Sequence, residues 1–403
     1  GRAKSLYLMQ EYEEALDCCE KAISLDDNNV EGYYSKAQVL MQMDRYEDVL
    51  EVLDRIKEID RDFKMVYYDR AEVYKKMGDY EKALENMDIY LEEFPDDGYG
   101  HEKKANILFG MGRFDDAVRE CDKAIEIEPG LADAYYGKGY ILYYTGQFKE
   151  SLSCFDKVIE LDPKSAYAYY SKGNSLKYLG DLEGALENYN EAINLWHEFA
   201  ECYSAIAHLY FIVGNYANSM IFYDRVENLR PDYIYSYIGK SQVYMATGDM
   251  ENAIKYSDKA LEVSPNNADT HNNKGKILGY FGMFDEAVSC FQAAIELDNN
   301  QAEYFYNLGN AQLMINEFEN AIESYNKAIY IYPRYEASYV GIGKAQMCLE
   351  NMEEALENFN KAIELNPEYA EAYYSKSEAL RILDENEEAQ ECYEKALELG
   401  YNA

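Results

Sequence analysis

The chain has 403 residues, of which 48% are hydrophobic, and its formal net charge is −38. Nucleic acids and anionic membranes carry phosphate groups that such a surface repels, so neither is an expected partner. No apolar run approaches the roughly 18 residues of a membrane-spanning helix. Length alone would favour two or three globular domains, unless internal repeats set the architecture instead.

The prolines show that the sequence is periodic. All seven lie at one phase of a 34-residue period: Pro95, Pro129, Pro163, Pro231, Pro265, Pro333 and Pro367. Proline cannot continue a helix, so this phase is predicted to be a turn between structural repeats. When the prolines are numbered as position 32, the chain begins at position 6 of a first repeat and ends at position 34 of a twelfth. No insertion or deletion interrupts the period.

This period predicts one continuous repeat domain over residues 1–403. In chain order the repeats span 1–29, 30–63, 64–97, 98–131, 132–165, 166–199, 200–233, 234–267, 268–301, 302–335, 336–369 and 370–403. The chain starts inside a repeat and without an initiator methionine. We therefore expect it to be a fragment of a longer protein.

Each repeat is predicted to contain two α-helices joined by a short turn. In repeat 5, apolar residues recur at three- and four-residue steps from Ala132 to Thr145, and again from Phe148 to Leu161. Gly146 separates the two segments at position 15, where seven repeats carry glycine. Glycine accepts a positive φ and commonly follows a helix C-terminus. The sequence therefore predicts 23 complete helices and one shortened first helix.

Small and aromatic residues follow the same period and predict where the helices touch. Position 8 is Ala, Gly or Ser in all twelve repeats, position 27 is Ala in eight, and position 24 is aromatic in seven. Small side chains let two helix axes approach closely, and aromatic rings beside them fill the remaining space.

Together, these features resemble the tetratricopeptide repeat family, and the resemblance covers all 403 residues. The resemblance implies an all-α, right-handed superhelical solenoid of antiparallel helix hairpins. In such a fold the first helices line a concave groove and the second helices form the convex face. It also implies a protein-interaction scaffold, not an enzyme, that binds a protein or an extended peptide in the groove.

The cysteines and histidines indicate no catalytic or metal-binding site. Six of the eight cysteines fall at equivalent mid-helix positions: Cys18, Cys19, Cys121, Cys154, Cys290 and Cys392. This pattern predicts buried thiols and not disulfides or metal ligands, which favours a reducing, cytoplasmic location. The four histidines show no paired ligand spacing, so we expect no metal and no cofactor.

Tyrosine is the outstanding residue, with 43 copies against 15 phenylalanines. The family resemblance places positions 2, 5, 9, 12 and 13 on the groove, and there repeats 5 and 6 are dense in candidate peptide-binding residues. These are Tyr136, Tyr140, Tyr143, Tyr144, Tyr170, Asn174 and Tyr178. Tyrosine offers a large contact area and a hydroxyl at low entropic cost, which suits peptide recognition. The alternative is that these rings only fill space between adjacent helices, or reflect a compositional bias toward tyrosine.

Repeats 9 to 11 hold a second candidate site, made of amide and amino side chains. Its residues are Asn273, Lys276, Asn307, Asn310 and Lys344. The pattern is similar to the asparagine ladder in the repeats of O-GlcNAc transferases. An amide side chain can donate to and accept from an extended peptide backbone. The alternative is that these side chains bond only to water.

Charge in the groove is close to balanced. The groove positions hold nine acids and seven bases, a difference of two, so the excess acid lies mainly on second helices and turns. A strongly basic ligand is therefore not implied. Two further alternatives remain open: a regulatory or substrate-docking arm of an enzyme whose catalytic domain lies elsewhere, and a structural rod that self-associates end to end.

Overall fold

A computed structural model describes residues 2–401, without the side chains of residues 2–4. Over this range the backbone forms 24 α-helices. The helices are α1 (Arg2–Leu8), α2 (Tyr12–Leu25), α3 (Val30–Gln42), α4 (Tyr46–Ile59), α5 (Met65–Lys76), α6 (Tyr80–Glu93), α7 (Gly98–Gly110), α8 (Phe114–Ile127), α9 (Ala132–Tyr144), α10 (Phe148–Leu161), α11 (Ala166–Tyr178), α12 (Leu182–Leu195), α13 (Ala200–Ile212), α14 (Tyr216–Leu229), α15 (Ile234–Ala246), α16 (Met250–Val263), α17 (Ala268–Tyr280), α18 (Phe284–Leu297), α19 (Ala302–Met314), α20 (Phe318–Ile331), α21 (Glu336–Cys348), α22 (Met352–Leu365), α23 (Ala370–Ile382) and α24 (Asn386–Glu398).

The helices follow the 34-residue period closely. First helices typically occupy positions 1 to 13 and second helices positions 17 to 30, and α1 is the shortened first helix with 7 residues. The predicted number of helices is thus confirmed. The chain divides after Cys202 into two compact halves, each a stack of helix hairpins. Within the described residues, none of the helices has both the length and the apolar character that a membrane span requires.

One residue with a positive φ ends the first helix of every repeat. Glycine fills this place, position 15, in seven repeats, with φ between 73° and 82°, as the sequence predicted. In the other five repeats the same conformation is adopted by Gln10, Asp44, Asn316, Glu350 and Asp384. A β-carbon disfavours this region by about 1–2 kcal/mol. These five turns therefore form against the local preference of their residue.

Replacing Glu350 (φ 63°) by glycine should therefore stabilise the protein. We expect a gain of about 0.5–1 kcal/mol, because the β-carbon penalty disappears while glycine adds backbone entropy to the unfolded chain. The shift in the urea midpoint measures this gain. Glu350→Ala is the matched control, since it removes the carboxylate but keeps the β-carbon. Equal midpoints for the two variants would contradict the prediction.

Glycine at position 8 makes room for the aromatic ring at position 24 of the same repeat. A β-carbon on Gly275 would lie 2.6 Å from Cε1 of Phe291, and one on Gly343 would lie 2.4 Å from Cε1 of Phe359. In repeat 2, Ala37 instead shares a core cluster with the non-aromatic Leu53. The two positions thus exchange volume in these repeats, whereas Ala207 and Ser377 occur together with Tyr223 and Tyr393. In the first repeat, position 8 is Ala3, whose side chain lies outside the described residues.

Two glycines of helix α17 provide a test of this packing. Gly275→Ala should lower the free energy of unfolding by about 1–2 kcal/mol, because the Phe291 ring must move. Gly279→Ala should raise it by about 0.5 kcal/mol, because its β-carbon would meet nothing closer than Ala287 Cβ at 3.9 Å. Urea unfolding measures both effects. Similar effects of the two substitutions would rule out the packing role of Gly275.

A row of ion pairs joins successive repeats. A basic residue at position 7 pairs with an acid at position 25 of the preceding repeat: Lys138 with Asp122 at 2.5 Å, Lys172 with Asp156 at 2.6 Å and Lys274 with Asp258 at 2.6 Å. Where position 7 is apolar, as at Leu308 and Ile342, the preceding position 25 is uncharged. Partly exposed pairs contribute little energy, about 0–1 kcal/mol each. The base at position 7 and the acid at position 25 of the preceding repeat nevertheless tend to occur together, which favours the native order of repeats.

His101 occupies position 4 of repeat 4, where tyrosine is the usual residue. Its Nδ1 lies 2.6 Å from Glu120 Oε2, and its Nε2 lies 3.0 Å from the carbonyl oxygen of Pro95. Both partners are acceptors, so both ring nitrogens must carry protons to satisfy them. The hydrogen bond to Glu120 accordingly raises the pKa of His101, against the opposing effect of burial. The ammonium groups of Lys104 and Lys123 lie 3.6 and 2.9 Å from Glu120 Oε1.

This buried pair should make stability depend on pH. Because the folded-state pKa of His101 is raised, its contribution is fully present below the unfolded pKa of about 6.5 and is lost as pH rises through the folded pKa. We expect the urea midpoint of the protein to fall between pH 6 and pH 8.5. The fall should be smaller in His101→Tyr, which carries the residue most common at position 4. Equal pH dependence in both proteins would contradict the assignment.

The described cysteines are all free thiols. Cys19, Cys121, Cys154, Cys202 and Cys392 are buried, and burial raises the pKa of Cys121 to about 12. The expectation of buried thiols is too strong for Cys18 and Cys290, which are only half-buried, although Cys154 and Cys392 are buried at the same position 23. Cys348, at the exposed end of α21, was not part of the mid-helix pattern.

Candidate peptide-binding surface

Seven aromatic side chains of repeats 4 to 6 lie at one end of the first helices in two contact groups, one around Phe109 and one around Phe148, and both groups include tyrosines of α9. This aromatic surface consists of Phe109, Phe114, Tyr140, Tyr143, Tyr144, Phe148 and Tyr178. Its members come from positions 9, 12 and 13 of first helices and from position 17, where second helices begin. Side chains three and four residues apart lie on one helix face, so helix geometry brings them together.

Three tyrosines of the aromatic surface are open to solvent. Tyr140 is 44% exposed, Tyr144 61% and Tyr178 58%. Phe109 lies beneath the first two, with ring centroids 5.5 and 5.2 Å from theirs, and Tyr178 stacks on Phe148 at 4.9 Å. The phenylalanines thus hold the tyrosines in place. Sequence reasoning missed these supporting phenylalanines, although their recurrence at positions 12 and 17 was visible.

The other predicted residues of repeats 5 and 6 are half-buried and contact neighbouring helices. Tyr136 is half-buried, and its hydroxyl lies 3.1 Å from Ser171 Oγ. Tyr170 is half-buried, with its ring centroid 5.0 Å from that of Phe199. Burial raises the pKa of both tyrosines. Asn174 accepts a hydrogen bond at 2.8 Å from the hydroxyl of a tyrosine in the same hairpin. The alternative interpretation, that the side chains only fill space between helices, therefore suits Tyr136, Tyr170 and Asn174 better than it suits the exposed tyrosines.

A cleft lies at the opposite end of helix α9 and was not predicted from the sequence. Its volume is about 380 Å³, and Asp133, Tyr136, Asp162 and Tyr167 are among the residues that line it. Beside it, Trp196 stacks on Phe199 at a centroid distance of 4.6 Å, and both rings contact Tyr167. The first helix of repeat 5 thus carries a concave feature near its start and an aromatic surface near its end.

The second candidate, in repeats 9 to 11, is largely satisfied by internal bonds. Asn273 is only 4% exposed, and its Nδ2 donates to Ser241 Oγ at 2.9 Å. Asn307 donates to Asn272 at 3.0 Å, and Asn310 accepts from Tyr325 at 2.8 Å. Lys276 pairs with Glu303 at 3.0 Å, and Lys344 pairs with Glu371. Asn273 is therefore not exposed as an open asparagine ladder would require, because repeat 8 covers it.

Clustered metal ligands are absent from the described part of the chain. No group of three or more His, Cys, Asp or Glu side chains there could hold a metal ion. Some acids of the second helices are instead paired with neighbouring lysines, as in Lys157–Glu160 at 2.9 Å and Lys361–Glu364 at 2.8 Å. The surface features that stand out are therefore aromatic.

The fold and this surface define a repeat protein built from helix hairpins. Family models described as tetratricopeptide repeat or TPR repeat match residues 6–67, 68–132, 132–165, 154–187, 173–214, 200–233, 233–300, 302–335, 337–369 and 358–391. The chain belongs to the tetratricopeptide repeat family. This result confirms the resemblance seen in the sequence.

Solved structures with the same fold cover nearly the whole chain. Yeast Tom70 has 16% sequence identity and a TM-score of 0.55, over 97% of this chain and 95% of Tom70. The Cut9–Hcn1 hetero-tetramer of APC/C gives 14% identity and a TM-score of 0.54, over 100% of this chain and 93% of that one. These likenesses confirm the all-helical solenoid. A search of curated protein sequences found no match.

Proposed function

We propose that the chain acts by binding a segment of a partner protein on the aromatic surface of repeats 4 to 6. Its family supports the general role of a protein-interaction scaffold. The observation that carries the finer proposal is the group of three exposed tyrosines, Tyr140, Tyr144 and Tyr178, held by half-buried phenylalanines. Contiguous exposed aromatic groups of this kind commonly mark binding sites in soluble proteins.

The chemistry of this surface suits an extended peptide. Tyrosine rings bury a large area when they bind, and they lose few rotatable bonds in doing so. Their hydroxyls can donate to or accept from the peptide backbone. The rings of Phe109 and Phe148 fix the tyrosines before binding, which lowers the entropy lost on association. Repeats 9 to 11 offer less, because their amides and lysines already have partners.

The same proposal assigns the chain no chemical reaction of its own. No cofactor enters it, and the free cysteines suit the reducing conditions of the cytoplasm. Nucleic acid and membranes are not proposed as partners, given the net charge of −38.

The test is a triple substitution, Tyr140→Ser, Tyr144→Ser and Tyr178→Ser. Peptides are first selected on the native chain from a random phage-displayed library, and their Kd is then measured by calorimetry. Losing one interface anchor costs about 2 kcal/mol, so the triple variant should bind at least ~30-fold more weakly. Its urea midpoint should change little, because the substituted side chains are exposed.

Tyr280→Ser is the matched control, because Tyr280 also occupies position 13 and is 62% exposed, but lies in repeat 9. It should leave the Kd unchanged. Tyr136→Ala should lower stability, since Tyr136 packs against Phe155 and contacts Ser171. Equal affinities for the native chain and the triple variant would show that the binding site lies elsewhere.

A further inference from the structure

We infer that the cleft at the start of helix α9 binds an arginine side chain of the partner segment. This inference rests on the proposed function, because it names one residue of the ligand that the aromatic surface holds. The cleft measures about 380 Å³, which exceeds the volume of one side chain. Besides the four residues named above, its lining includes Val158 and Ser165, and no lining residue is basic.

Two carboxylates give the cleft a negative charge without a compensating cation. Asp133 lies in the first turn of α9, and its carboxylate makes no hydrogen bond or ion pair with any described residue. Asp162 follows α10, and its Oδ1 accepts the backbone N–H of Lys164 at 3.0 Å. A bound cation would donate charge-assisted hydrogen bonds to both carboxylates.

Two aromatic rings line the same cleft. Tyr167 is exposed, and its ring centroid lies 5.7 Å from that of Trp196 and 5.1 Å from that of Phe199. Tyr136 supplies the second ring. The faces of aromatic rings attract cations. A planar guanidinium can stack flat on a ring and still direct its forked N–H groups to two carboxylates, whereas a lysine ammonium acts as a compact point charge, so the combination favours arginine.

This combination of two acids and two tyrosines is not required by the 34-residue repeat. It requires acids at positions 2 and 31, a tyrosine at position 5 and a tyrosine at position 2 of the following repeat. In the sequence only repeats 5 and 6 meet all four conditions, with Asp133, Asp162, Tyr136 and Tyr167. In repeats 9 and 10, for example, the tyrosines are replaced by Asn272 and Glu303. The site is therefore a local feature added to the scaffold.

Trp196 is the only tryptophan of the chain and stands beside Tyr167, so its fluorescence reports on the cleft. The experiment titrates the native chain with N-acetyl-arginine amide at constant ionic strength. The lysine and citrulline analogues are titrated in parallel, since citrulline has the shape of arginine without its charge. We expect a saturable change with the arginine probe, at least threefold weaker binding of the lysine probe and no binding of the citrulline probe.

The double variant Asp133→Asn, Asp162→Asn should bind the arginine probe at least tenfold more weakly. Glu160→Gln is the control, because it removes an exposed acid two residues before Asp162 that already pairs with Lys157. Circular dichroism checks that both variants fold. Saturation-transfer NMR of the probe repeats the titration without a protein reporter. Absence of saturable binding by both methods, or equal binding of the arginine and citrulline probes, would overturn the inference.

A second measurement separates this inference from the proposed function. In a peptide selected from the library, arginine is replaced by citrulline, and the Kd is measured against the native chain. A change below twofold, or selected peptides without arginine, would overturn the arginine site while leaving the aromatic surface intact. Conversely, the triple substitution of Tyr140, Tyr144 and Tyr178 could leave peptide binding unchanged. The proposed function would then be wrong, and the probe titration would still test whether the cleft binds arginine.

Discussion

The side chain at position 24, an aromatic ring in seven of the twelve repeats, is the contact on which the packing of those seven hairpins depends. Tyr325 is fully buried between two glycines: a β-carbon on Gly309 of its own repeat would lie 2.7 Å from its Cε1, and one on Gly341 of the next repeat 2.4 Å from its Cζ. One ring therefore fixes both the distance within a hairpin and the distance to the next hairpin. Because interiors are packed at the density of organic crystals, such a contact leaves little freedom to either neighbour.

The same contact decides which groove residues remain available to a ligand. The hydroxyl of Tyr189 extends through the hairpin to Asn174, and that of Tyr325 reaches Asn310. The amide oxygen of asparagine at position 9 therefore already accepts a hydrogen bond from a core tyrosine in these two repeats. Side chains near the two ends of a first helix lie away from this contact. On α9 the cleft residue Asp133 and the surface residue Tyr144 are eleven residues apart, or about 16 Å along a helix, which an extended segment of about five residues would span.

The sequence predicted the fold almost completely, and the surface features of the candidate site only in part. An uninterrupted 34-residue period predicts which segments are helical, because the same apolar spacing occurs in repeat after repeat. The exposure of a side chain at a given position depends instead on the residues of the neighbouring repeat, and these differ from one repeat to the next. Tyr136 is covered partly through Ser171, whereas Asn273 is covered through Ser241. The positive φ of Glu350 goes against the preference of that residue alone and follows only from its place at position 15, where seven repeats carry glycine.

Charge and aromatic contact act on a ligand over different distances. The net charge of −38 produces a long-range attraction for a basic segment, which salt screens over about 8 Å at physiological ionic strength. That attraction speeds encounter but cannot choose among cationic segments, since it depends only on total charge. Selection requires groups that act at contact: unpaired Asp133 in the cleft and the exposed rings of Tyr140, Tyr144 and Tyr178.

Acids paired with lysine, such as Asp122 and Asp156, contribute less to the long-range field because each is neutralised by its neighbour. The inter-repeat ion pairs therefore limit non-specific attraction along the solenoid while leaving local charge at the cleft.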